Sequence, residues 1–420
     1  VMEEKKLVPK RRYQGFTEDW DKSKLENLAS FSKGKGYSKK DLTDIGHQLI
    51  LYGRLYTNYE TVIKKVDTYT IKQENSMLSK GREVIVPSSG ETKEDIARAS
   101  VILEPNIIIG GDLNVIIPSK ELDSVFLALN ISKGSCQSEL MKRAQGSSVV
   151  HLYNEDLISV TLYFPCVKEQ QKISEFFKVL DDRIANQERK IAKVKALKEA
   201  YLTEMFPQEG ETVPKRRFKG FEGEWKAFKL KDLGMFTSNG VNKKVNKNEM
   251  LVNLLNYMDV YKRKKITNEN RHTLMQVTAN LDQIKKNSVE KNDVFFTPSS
   301  ETPDDIGRVM VIEESLDNTV YSYHLMRFRP YRNILHSIFP NYVFDTFYFR
   351  KQLEFAAQGV QRYVLNRDAF EELLVQLPRI NEQKAISDFF RTLDDQIEME
   401  EKKLDKLEKM KEAYLEEMFV

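Results

Sequence analysis

VPKRRYQGFTEDWDKSKLENL, residues 8–28, returns as VPKRRFKGFEGEWKAFKLKDL at residues 213–233, with Trp20 matched by Trp225 and Leu28 by Leu233. Further in, VIVPSSGETKEDIARASVI (84–102) is matched by VFFTPSSETPDDIGRVMVI (294–312); aligned serine to serine, the first copy carries Gly90 as a one-residue insertion. A third pair closes each copy, EQQKISEFFKVLDDRIANQERKIAKVKALKEAYLTEMF (169–206) and EQKAISDFFRTLDDQIEMEEKKLDKLEKMKEAYLEEMF (382–419). Three matches in the same order make the chain a module written twice, and such repeats decide architecture before any local motif does.

The closing segments contain no internal proline or glycine and are rich in Lys, Glu, Ala and Leu. Apolar residues recur at steps of three and four: Ile184, Ile191, Val194, Leu197, Tyr201 and Met205, then Ile397, Leu404, Leu407, Met410, Tyr414 and Met418. That is the stripe of a long amphipathic helix of coiled-coil type, and these side chains are the expected helix–helix packing set. Between opening and helix lie short β-branched and aromatic runs (VIVP, IIIGGDLNVIIP, LYFP; VFFTP, LMRFRP, LLVQLP) punctuated by Gly, Pro, Asn and Ser. These read as strands with a few helices, an α+β globule. Pro207 stops the first helix.

The predicted order is a globule at 1–165, a helix at 166–206, a second globule at 207–378 and a helix at 379–420. The two helices are expected to pair as an antiparallel coiled coil with pseudo-two-fold symmetry.

The 420 residues, 40% hydrophobic and 31% charged, suit a globular protein of several domains. No apolar run approaches the span of a bilayer, and VMEEKKLVPKRR lacks an apolar signal core, so a cytoplasmic location is expected. Cys136 and Cys166 stand outside any CxxC spacing and are expected to be buried or half-buried thiols. A net charge of +3 leaves any phosphate-binding surface to local clustering.

The stretches from Leu28 to Arg82 and from Leu233 to Lys291 do not align, while the segments framing them do. A scaffold duplicated for mechanical reasons has no cause to keep its frame and rewrite its inserts; two recognition faces for different ligands require it. A 38-residue helix is about 57 Å long, and one turn of B-DNA advances about 34 Å. Two globules held by such helices suit an asymmetric, two-part target on duplex DNA, the helices acting as a ruler.

In the first insert, FSKGKGYSKKDL combines Lys33, Lys35, Lys39 and Lys40 with Gly34 and Gly36, and LYGRLYTNY interleaves Arg54 with Tyr52, Tyr56 and Tyr59. Lysines neutralise phosphate and glycines permit close backbone approach; a solvated basic loop and a tyrosine-rich strand edge fit equally. The second insert offers Asn242, Lys243, Lys244, Tyr257, Lys262 and Arg263, and Arg362 follows downstream. Asn suits adenine edges and Arg guanine. Ser88 and Ser89, with Ser299 and Ser300, either donate to phosphates or belong to caps of the helices at EDI and DDI, the commoner use of such residues.

Chemistry-bearing motifs do not emerge. There is no GxxxxGK[ST] loop, no GxGxxG and no [DN]PP[YFW]; the five histidines are scattered; Asp181-Asp182 and Asp394-Asp395 fall within the helices, as surface charges. Neither a catalytic residue, a metal site nor a bound cofactor is expected.

Taken together, the VPKRR…W openings, the GREVIVPSSGET and KNDVFFTPSSETPDDIG turns, and AQGSSVVHLYNEDL and AQGVQRYVLNRDAF ahead of LYFP and LPRINEQ resemble, over nearly the whole chain, the specificity subunits of type I restriction-modification systems. The resemblance implies two target-recognition domains reading one half-site each. It also implies helices that dock two methyltransferase subunits using S-adenosylmethionine, joined by motor-nuclease subunits that use ATP and magnesium. The competing expectations are a coiled-coil structural adaptor without sequence readout, and an enzyme with unfamiliar motifs.

Overall fold

The computed structural model describes residues 8–146 and 149–420. The chain divides into two compact units, one made of Val1–Arg189 with Glu401–Val420, the other of Lys190–Glu400. The α+β class with two similar globules and two long helices is observed. The helices span Val167–Glu204 and Ile380–Met418, so the division between units cuts each helix.

In the first unit, Asp21–Lys24 pairs antiparallel with Thr161–Phe164, joining the opening motif to the strand that precedes the first long helix. A five-stranded sheet follows in the order Ala29–Lys33, Leu113–Pro118, Glu83–Pro87, Ser100–Ile102, Val62–Ile63. Glu83–Pro87 is buried along its whole length, which is why it reads as a continuous apolar run and not as an alternating one. A second sheet, Leu42–Thr43, Tyr69–Thr70, His47–Ile50, Pro105–Ile109, Leu78–Lys80, is built largely from the insert. Beneath the first sheet lies the buried helix Ser124–Ser132, started by Asp123, whose carboxylate accepts from the N–H groups of Val125 and Phe126.

The second unit repeats the frame: Lys226–Lys229 pairs with Leu374–Leu377, and a four-stranded sheet runs Gly234–Thr237, Met326–Pro330, Val294–Phe296, Val309–Val311. Its insert contributes to a three-stranded sheet, Met275–Ala279, Met250–Leu255, Thr319–Tyr321.

The strand ladders correct one expectation about the repeat. Ser89 pairs with His151, and Ser299 with Val364; Gly90 pairs with Val150, and Ser300 with Tyr363. Leu152 donates to the Ser88 carbonyl and Leu365 to the Pro298 carbonyl. Residues 84–102 therefore match 294–312 without a gap, and Gly90 is the counterpart of Ser300 and not an insertion. Matching serine letters slides the register by one, and hydrogen bonding restores it.

The repeated opening and closing motifs are explained by one another. Trp20 packs edge-on to Phe126 at 5.7 Å and to Phe419 at 6.5 Å; Trp225 packs edge-on to Phe206 at 5.7 Å. Both indoles are buried, so the Trp of each opening motif needs the terminal Phe of a long helix to complete its core. Arg12 grips Glu169 through two bonds of 2.7 and 2.8 Å, and Arg217 grips Glu382 through two of 2.7 Å, with the carboxylates 1% and 2% exposed. The backbone of Arg11 donates to the carbonyl of Glu417 and that of Arg216 to the carbonyl of Glu204, each at 2.8 Å.

Within each unit the helical segments run antiparallel. In the first, Phe176 meets Tyr414 at 4.9 Å, Phe177 meets Phe419 at 6.1 Å, and Asp181 pairs with Lys411 at 2.6 Å. In the second, Lys198 pairs with Asp394 at 2.5 Å and Tyr201 meets Phe389 at 4.9 Å. Asp181 and Asp394 are thus paired counterparts rather than free surface charges.

Ile191, Met205 and Met418 are buried, and Ile184, Val194, Tyr201, Ile397, Leu404, Leu407, Met410 and Tyr414 half-buried. Leu197, expected in the seam, is 45% exposed. The packed stripe runs Ile191, Val194, Lys198, Tyr201, Met205 in heptad steps, so Lys198 takes the inward position and Leu197, one residue back, turns outward. Cys136 is buried, but Cys166 is exposed, because it stands at the solvent-facing entry to the first long helix and its carbonyl accepts from Glu169 and Gln170.

Candidate nucleic-acid interface

In each unit a short two-stranded ribbon brings insert and frame together. In the first, Ser89–Gly90 lies against Val150–His151, and the Tyr56 hydroxyl donates to the Ser89 carbonyl at 2.6 Å. In the second, Ser299–Ser300 lies against Tyr363–Val364, and the Tyr257 hydroxyl donates to the Ser299 carbonyl at 2.6 Å. The inserts that share no alignable sequence thus deliver one tyrosine each to the same backbone position. Burial raises the pKa of both phenols, so they stay protonated donors.

Around the first ribbon, His151 stacks on Tyr153 at 6.1 Å, and the ammonium of Lys33 stands 5.3 Å over the Tyr153 ring. Tyr52 meets Tyr56 edge-on and is 39% exposed. Lys33, Tyr52, Tyr56 and Ser89 are therefore brought together. Lys35 is exposed, with its backbone N–H held by the Ile109 carbonyl; Lys39 and Lys40 are exposed on a single 3-10 turn started by Ser38. Gly34 has an internal reason to lack a side chain, because a Cβ there would stand 1.8 Å from the Gly110 carbonyl oxygen. Arg54 is turned inward, bonded to Glu60, Asp67 and the Lys65 carbonyl. Ser88 is buried and does not cap; the cap of Lys93–Ile96 is Thr92.

Around the second ribbon, Arg362 donates to the Ser299 hydroxyl at 3.2 Å, and Tyr323 stands with its ring 3.8 Å from that of His324. Burial, with the positive charges of Lys243 and Arg362, pushes the His324 pKa down, and backbone bonds from Val241 to Tyr321 and from Tyr323 to Val241 set the insert loop of Lys243 alongside the segment that carries His324. Tyr257 stacks on Tyr261 at 5.9 Å. Lys243, Tyr257, Ser299 and Arg362 thus gather on one face. Asn242 and Lys244 are exposed beside Lys243, and the Ser300 hydroxyl donates to the Thr302 carbonyl.

The Lys262–Lys265 run goes elsewhere. Lys262 is exposed, and Arg263 bonds to the Val309 carbonyl and to Asp345. With Lys264 and Lys265, Arg263 lines a cleft of about 890 Å³ whose far wall includes Arg391, Asp394 and Asp395.

His151, Tyr153, Tyr323 and His324 were absent from the sequence candidates although they stand in these clusters. The AQG motif just upstream of His151 was the available signal, because it recurs unchanged in both copies. Among the described residues no three His, Cys, Asp or Glu side chains stand close enough to hold a metal ion, and no helix is long and apolar enough to cross a membrane.

Two mixed α/β globules, each carrying an aromatic and basic ribbon and each closed by paired long-helix segments, define a duplicated recognition module. The chain belongs to the family described as type I restriction modification DNA specificity domain, whose model matches twice, at residues 17–196 and 222–409. It is a DNA-recognition subunit of that family. The S subunit of the type I restriction-modification system of M. genitalium superposes with a TM-score of 0.61 at 15% identity, over 98% of this chain and 99% of that one. A chain from a structure on complex assembly and conformational transition of the type I R-M system gives a TM-score of 0.55 at 13% identity, over 97% and 99%. No curated protein matches by sequence.

Proposed function

We propose that each globule reads one half of an asymmetric, two-part site on double-stranded DNA, the length of the helices setting the unread spacer. The observation that carries this reading is the preserved frame around rewritten inserts: a five-stranded insert sheet in one unit and a three-stranded one in the other, both delivering a tyrosine to the same ribbon carbonyl. The chain itself performs no catalysis and binds no cofactor. Two methyltransferase subunits dock on its helices and methylate adenine from S-adenosylmethionine, and motor-nuclease subunits join with ATP and magnesium, in the cytoplasm.

The test is adenine-methylation mapping in cells carrying the chain with its cognate methyltransferase, before and after residues 30–82 are exchanged for another family member's insert. A two-part motif that changes in one half only is the expected result. A motif indifferent to the exchange, or none at all, returns the chain to the structural-adaptor reading.

A further inference from the structure

The AQG motifs form a pair of hairpins. Gln145 and His151 exchange two backbone hydrogen bonds of 3.1 and 2.7 Å, and Gln358 and Val364 two of 3.1 and 2.9 Å. Gly146 (φ +119°) and Gly359 (φ +143°) turn both chains, and at each a Cβ would stand 2.0 Å from the carbonyl oxygen three residues on. The scaffold is therefore the same in both units, and glycine is required in both. The three residues that follow each glycine in the sequence differ: Ser147, Ser148 and Val149 in one copy, of which Ser147 and Ser148 lie outside the described residues, and Val360, Gln361 and Arg362 in the other.

This preserved frame with a rewritten tip repeats, on the scale of one turn, what the inserts do on the scale of a sheet. Val360 is 91% exposed and Gln361 and Arg362 are exposed, so none of the three serves the core. Unlike Arg263, Arg308 and Arg367, Arg362 has no carboxylate partner among the described residues; a bond to the Ser299 hydroxyl steadies it and leaves most of its donor fork open to a ligand. The insert loop that carries Lys243 is bonded through Val241 to the backbone of Tyr321 and Tyr323, next to His324, whose imidazole feels the charges of both Lys243 and Arg362. An aliphatic side chain, an amide and a guanidinium are the groups that read a thymine methyl, an adenine edge and a guanine edge in the major groove.

Building on the half-site reading proposed above, we infer that the hairpin tip Val360-Gln361-Arg362, outside the insert, is a base-reading element of the second half-site. The phosphates are met by the neighbouring basic residues, while the tip supplies discrimination.

The experiment replaces the tip with that of the first hairpin (Val360→Ser, Gln361→Ser, Arg362→Val), with Arg362→Ala alone as the milder variant, in the full chain with its cognate methyltransferase, and maps adenine methylation. The expected result is an unchanged first half-site and spacer, with one to three positions of the second half-site relaxed or altered. Discrimination at those positions should fall by about tenfold or more. An unchanged motif, at full strength or uniformly weaker as for a phosphate contact, overturns the inference, and so does loss of assembly with the methyltransferase by a folded variant, as for a protein contact. If the milder variant folds, as judged by its thermal melt, and keeps full discrimination at every position, the inference fails as well. Absence of any two-part motif from the unmodified chain would instead sink the half-site reading on which this one rests.

Discussion

The two units agree where they are stapled and differ where they reach outward. Arg12 with Glu169 and Arg217 with Glu382 are interchangeable in distance and burial, and so are the AQG hairpins and the tyrosines on the ribbon carbonyls. Beyond the ribbon the likeness ends. In the first unit Lys64 reaches across to Asp182 on the long helix; in the second, Lys264 and Lys265 and the counterpart Asp395 line an open cleft. The difference teaches that the frame is constrained by buried charge and backbone geometry, which tolerate little substitution, and that the inserts, beyond the strands they lend to the frame sheets, share the task of handing one phenol back to it.

The comparison is broken most readily at the staples. Arg12→Ala and Arg217→Ala each leave a buried carboxylate unpaired, and each is expected to cost about 3–5 kcal/mol, read as a loss of folded signal in denaturant or thermal melts of the full chain. A severe loss from one and a slight loss from the other would show that the frames are not equivalent. Gly146→Ala and Gly359→Ala force a Cβ into a carbonyl oxygen at positive φ, and about 1–3 kcal/mol is expected for each. Equal losses in melts would sharpen the claim that the hairpins share one geometry. The smallest effect belongs to Tyr56→Phe and Tyr257→Phe, where one hydroxyl bond to a ribbon carbonyl is lost, worth about 1 kcal/mol. Matching small losses by denaturant midpoint would establish that dissimilar inserts perform the same anchoring task.

The frame was legible in the sequence because the chain supplies its own second copy to compare with. The two long helices follow from that alone, whereas the contact of each Trp with a terminal Phe emerges only in the fold. The register at residues 84–102 was misread because identical serines are a weaker constraint than a strand ladder, which pairs Ser89, and not Ser88, with the ribbon. Leu197 was misread because a lysine with a partner, Lys198 on Asp394, can hold an inward position that hydrophobicity assigns to its neighbour. The candidate site was legible in composition but not in arrangement. Lys243, Tyr257, Ser299 and Arg362 converge through turns whose geometry the letters do not carry, while Arg54 is taken by nearby Glu60 and Arg263 by Asp345 from a distant segment.

The closure of the first core by Leu415, Met418 and Phe419 bears on how the molecule comes into being. A chain emerging from its amino end presents the first globule early, yet its unit lacks residues 401–420 until the whole of the second unit has been made, whereas Lys190–Glu400 is one unbroken stretch. The unit that is made second is therefore the first that can finish folding, against the usual amino-to-carboxyl order. Until then Trp20 and Phe126 wait without the Phe419 ring that later meets both, and the first core keeps an apolar surface open to water.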